Sequence, residues 1–125
     1  MQEQIRNLAK DTLAKAKIVN GLKLVELTGV RLPDVVKCVA FSVREQSPEG
    51  TMFIGATRDP QNKPLLTVMV TEDLVKQGIN ASSIAREAAK AIKGGGGGQP
   101  GFAQAGGKDA EGLAKAADVM RNAIN

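Results

Sequence analysis

Histidine, tryptophan and tyrosine are absent from the 125 residues, and phenylalanine occurs only three times. The commonest general base is therefore missing, and so are most of the aromatic platforms on which nucleic-acid bases stack. Catalysis would need a carboxylate pair or an activated nucleophile, yet the thirteen Asp and Glu are scattered singly or flanked by Lys and Arg. No catalytic constellation emerges and no cofactor is expected. Cys38 is the single cysteine, which rules out an internal disulfide, argues against a Cys-based metal site and suits a reducing, cytoplasmic setting. Between Pro33 and the turn 47–50 it reads as a small, partly buried helix residue. No apolar run approaches the ~20 residues of a membrane span, and the charged start has no signal-peptide core.

What remains is one ordinary domain, long enough to bury roughly two-thirds of its unfolded surface. Seventeen basic against thirteen acidic residues leave a net charge of +4, which mildly favours a polyanionic partner. In residues 1–17, Ile5, Leu8, Ala9, Thr12, Leu13 and Ala16 recur at helical spacing, so an amphipathic helix is expected, with Arg6, Lys10 and Lys17 on another face. Asn20-Gly21 signals a tight turn between residues 17–19 and 22–27, as a hairpin or as a bend into one strand. Pro33 opens a helix that carries Val35, Val36, Val39, Ala40 and Val43. Residues 51–57 and 65–70 are apolar at successive positions and read as central strands joined by the turn 59–64.

Thr71 and Asn80 are candidate caps for a short helix ending at Gly78 and a longer one over residues 81–93. On that longer helix Ile84, Ala88 and Ala91 share one face, while Arg86, Lys90 and Lys93 line up on the other. A strand over 102–105 and a last amphipathic helix, opened by Asp109 and carrying Leu113, Ala116, Ala117, Met120 and Ile124, complete the chain. The order of elements predicts an α/β domain: a mixed sheet of about four or five strands packed by helices, preceded by the N-terminal amphipathic helix.

More than half of the fourteen glycines fall in residues 94–107, GGGGGQPGFAQAGG, just after the cationic face of the helix. Five glycines in succession, Gly94, Gly95, Gly96, Gly97 and Gly98, could curl into a nest that aims several N–H groups at one phosphate. A flexible linker is the alternative reading. The spacing fits neither a P-loop nor a meaningful dinucleotide fingerprint.

Polyglycine, a polar residue, Pro, an apolar residue and then Ala-Gln-Ala-Gly-Gly resembles the signature loop of the C-terminal domain of alanyl-tRNA synthetases, within the wider family of DHH-associated domains. The synthetase loop often reads Gly-Gly-Arg-Pro-Asp where this chain has Gln99-Pro100-Gly101. The phosphodiesterase branch places a His after its glycines, and this chain has none. The resemblance implies a non-catalytic module that binds tRNA at its elbow and works with the preceding aminoacylation and editing domains of a parent ligase. It also implies a division into a helical linker remnant, 1–17, and a globular domain, 18–125. Expected contacts are Arg86, Lys90, Lys93, the glycines 94–98, Gln99 and Lys108, with Arg6, Lys10 and Lys17 as a second patch if the first helix folds back alongside. The competing implication is a homodimer or domain-docking module, with Ile5, Leu8 and Leu13 as the contact.

Overall fold

The computed structural model describes residues 2–125; Met1, included in the expected first helix, lies outside them. Helix α1 (Gln2–Ala14) leads into β1 (Lys17–Val19) and β2 (Leu22–Leu27), an antiparallel hairpin. Its turn residues Asn20 and Gly21 have φ of 51° and 81°, the left-handed values that a two-residue hairpin turn needs. Helix α2 (Pro33–Gln46), with Pro33 in its first turn, crosses over to β3 (Thr51–Arg58), which lies parallel to β2. The turn after Arg58 returns the chain antiparallel as β4 (Pro64–Val70). After a short helix α3 (Glu72–Lys76), Asn80 caps α4 (Ala81–Ala89) by accepting from the Ser83 N–H at 3.1 Å. Strands β5 (Gly95–Gln99) and β6 (Phe102–Gly106) form a second hairpin, and α5 (Leu113–Asn122) ends the fold.

The six strands form one mixed sheet in the order β1-β2-β3-β4-β6-β5. The strand missing from the sequence reading is β5, because glycine has little intrinsic preference for strands. The other differences are local. The helix expected over 81–93 stops at Ala89 and tightens into a 3-10 turn, Lys90–Ile92, after which Lys93 takes φ 54°. Cys38 is exposed rather than partly buried, since Val36, Val39, Ala40 and Val43 are the residues α2 turns to the sheet. Thr71 precedes α3 but does not cap it with its side chain; its hydroxyl donates to Asp73 and accepts from the Thr51 N–H.

The sheet is covered on both faces, so each central strand feeds two cores. Val25, Phe53 and Met69 pack against Val36, Val39, Ala40 and Val43 of α2 and Ala9 of α1. Leu24, Met52, Ile54, Leu66 and Val68 pack against α4 and α5. Helix α1 lies on α2, with Ala9 and Thr12 buried and Ile5, Leu8 and Leu13 half-buried against the same core.

Two polar links fasten the layers. Arg121 on α5 donates through Nε and Nη2 to both carboxylate oxygens of Glu26 on β2, at 2.8 and 2.6 Å, and this holds the Glu26 carboxyl below its ordinary range. The Asp73 carboxylate accepts from the Thr71 hydroxyl at 2.7 Å and from the Gly50 N–H, and is likewise held low.

Candidate nucleic-acid interface

The glycine run is neither nest nor linker. Gly95 to Gln99 pair in register with Phe102 to Gly106, so the backbone is extended and successive N–H groups alternate between the two edges of the strand instead of converging on one anion. The physical reason for the composition is close approach. A Cβ on Gly94 would stand 1.9 Å from the Gly106 carbonyl oxygen, one on Gly96 2.7 Å from the Gln104 oxygen, and one on Gly98 2.5 Å from the Phe102 oxygen. Gly95 has open space around it. On the helix side, Ser82, Ala85, Ala88 and Ala89 of α4 are buried and small, so the helix backbone comes down onto Ala103, Ala105 and the glycine strand. Strand β5 ends the sheet, and its outer edge pairs with nothing among the described residues.

Around that strand the expected cations divide into two groups. Arg86 is exposed, donates to the Ser82 hydroxyl at 3.2 Å, and lies with its guanidinium about 3.8 Å from where a Cβ on Gly97 would be. Lys90 is exposed and pairs at 3.0 Å with Glu87, a surface ion pair that leaves both side chains in water. The straight stripe expected of Arg86, Lys90 and Lys93 is bent, because the α-helical spacing ends at Ala89. Lys93 and Lys108 flank a single joint, since the Ile92 carbonyl accepts from the N–H groups of both Lys108 and Asp109 at 2.9 Å. Exposed Gln99 sits at the other end of β5. Sequence reasoning missed Lys115, which lines a groove with Lys90 between α4 and α5; the wheel of each helix alone could not show that they face one another.

Arg6, Lys10 and Lys17 are exposed but do not join this group. Arg6 and Lys10 ride on α1, which packs on α2 and hence on the face of the sheet opposite α4. Lys17 is in β1, at the other end of the strand order. The first helix does not fold back alongside α4, and a contiguous second patch is not formed. Among the described residues no group of three or more Cys, Asp or Glu could hold a metal ion, and no helix is long and apolar enough to cross a membrane. Phe102 is half-buried against Phe41, with ring centroids 4.8 Å apart, and packs on the core.

The chain is 40% identical over 124 residues to the alanine–tRNA ligase of Parabacteroides distasonis, covering 99% of the chain and 14% of that enzyme. It is 41% identical over 120 residues to that of Bacteroides fragilis, covering 96% of the chain and 14% of the enzyme. The chain thus spans about one-seventh of the length of these relatives. Among solved structures, the C-Ala domain of the Aquifex aeolicus alanyl-tRNA synthetase superposes with a TM-score of 0.73 at 25% identity, over 88% of this chain and 97% of that one. The resemblance carried by residues 94–107 therefore extends over nearly the whole chain. The DHHA1 domain matches residues 31–125, from within the β2–α2 connection to the last residue, and the chain belongs to that family.

Proposed function

We propose that this chain is the tRNA-binding module of an alanine–tRNA ligase, holding the elbow of the tRNA so that aminoacylation and editing domains act on one molecule. One observation carries the reading: exposed Arg86, Lys90, Lys93 and Lys108 gather around a side-chain-free strand at a sheet edge, in a domain similar to the C-Ala domain of a synthetase. Such a surface lets an RNA backbone come close to protein backbone. Cations there neutralise phosphates without reading bases, which is how folded RNA is recognised by shape. The dimer reading is less supported, because Ile5, Leu8 and Leu13 are partly buried against the chain's own core.

The test is a titration of the chain with tRNA and with duplex DNA of equal length at several salt concentrations. We expect a preference for tRNA, an affinity that falls steeply with salt, and a salt slope lower by roughly two in a Lys90→Glu/Lys93→Glu variant that melts as the parent does. Equal, weak binding to both nucleic acids would sink the reading.

A further inference from the structure

A second basic feature lies at the same end of the sheet, and no motif in the sequence announced it. Strand β2 leaves the sheet at Leu27, whose partner is Gly55, so Ala56, Thr57 and Arg58 of β3 pair only with β4. The departing chain, through Gly29 and Arg31, arches over the vacated edge and leaves a notch of about 320 Å3, floored by Thr57 and flanked by Arg31, Arg58 and Leu113. It opens beyond the carboxyl ends of the parallel pair β2 and β3, where open α/β sheets place their ligands.

Two observations, on Arg58 and Arg31, give the notch a sign and a chemistry. Thr57 lines the cavity but is only 5% exposed, and its side chain leaves β3 on the α2 face with Phe53 and Gly55, opposite to that of Arg58. Arg58 makes no ion pair or side-chain hydrogen bond among the described residues. Arg31 is held in place through one terminal nitrogen, which donates to the Asp59 carbonyl and to the Asn62 side chain, leaving the rest of its guanidinium available. The nearby acids do not neutralise them. The Asp59 carboxylate is engaged by the N–H groups of Gln61 and Lys63 in its own turn, and Asp34, in the first turn of α2, does not line the cavity.

We propose that this notch binds a phosphate group, gripped by Arg58 and Arg31. The site goes beyond the tRNA reading and holds whether the phosphate belongs to a polynucleotide or to a free anion. The sheet register relates it to the glycine strand: Thr57 pairs with Leu65, Leu65 with Gly106, and Gly106 with Gly95, placing the two features in one row. Three strand spacings separate them, about 14 Å, within reach of one RNA.

The experiment is an amide-resolved NMR titration of the chain with inorganic phosphate, with chloride added to hold ionic strength constant. Saturable shifts at Gly29, Arg31, Thr57 and Arg58 are expected. Affinity should fall about tenfold in Arg58→Gln and stay unchanged in Lys76→Gln. Shifts spread evenly over the basic surface, or indifferent to Arg58→Gln, would overturn the site. Repeating the titration with tRNA identifies the source: movement of the same amides assigns the site to the RNA backbone, and their silence beside a positive phosphate result assigns it to a small anion. Either outcome is separable from a tRNA affinity governed by Lys90 and Lys93.

Discussion

The two faces of the sheet are packed by different means. Helix α2 fills its side with Val36, Val39 and Val43, branched side chains that keep the helix at an ordinary distance and stabilise by volume. Helix α4 buries Ile84 among the larger residues of its core, but where it crosses β5 and β6 it brings only Ser82, Ala85, Ala88 and Ala89 against Ala103, Ala105 and the glycines, so helix and sheet are there nearly backbone on backbone. The first face can lose a methyl group and keep its shape. The second cannot gain one where the backbones meet. Basic side chains and an open strand edge stand on the tightly packed side, so the surface proposed to meet RNA is backed by the part of the fold with least slack.

The sharpest way to break this comparison is to add one carbon to the glycine strand. Gly94→Ala drives a Cβ into the Gly106 carbonyl, and a loss of about 3 kcal/mol or more is expected from urea unfolding. On the other face, Val39→Ala leaves a small cavity and costs about 2 kcal/mol, with the native spectrum preserved. Ala88→Val should cost a similar amount by overpacking, and should shift the amides of β5 and β6 as well; an Ala88→Val protein as stable as its parent would mean that α4 has room to move.

The link between layers gives a smaller, pH-dependent effect. Because Arg121 holds the Glu26 carboxyl below its unfolded value, the stability it contributes is full above the ordinary carboxylate range and is lost as pH falls through that range and below. Glu26→Gln should therefore be destabilised at neutral pH and converge on the parent in acid, as followed by thermal melts across pH. The smallest effect is expected one residue from the largest. Gly95→Ala, with open space around its Cβ, should change stability by no more than about 0.5 kcal/mol. A large loss there would mean that every glycine of the run is required, and not only those that abut β6.

These contrasts mark where the sequence was legible. The hairpin at Asn20-Gly21, the Pro33 start of α2, the Asn80 cap and the doubly covered strands β3 and β4 each follow from a local rule, and the structure keeps them. The exposure of Cys38 was also within reach of a helical wheel. Strand β5 was not, because glycine carries no periodicity and its conformation is imposed by β6 and α4. Nor was the gathering of Arg31 with Arg58, or of Lys90 with Lys115, since tertiary placement alone brings residues so far apart in sequence to one cavity. The separation of Arg6 and Lys10 from Arg86 has the same origin: helical spacing shows which side chains share a face, but not which side of a sheet the helix will choose.

A strand at the end of a sheet lives half in the protein and half in water. Alternate amides between Gly95 and Gln99 are tied into the ladder with β6, and their neighbours point outward from the last edge. In heavy water that stretch would exchange its hydrogens in two interleaved sets, fast and slow at every other residue. An RNA lying along the glycines would slow only the fast set, so the bound footprint would appear as the disappearance of an alternation.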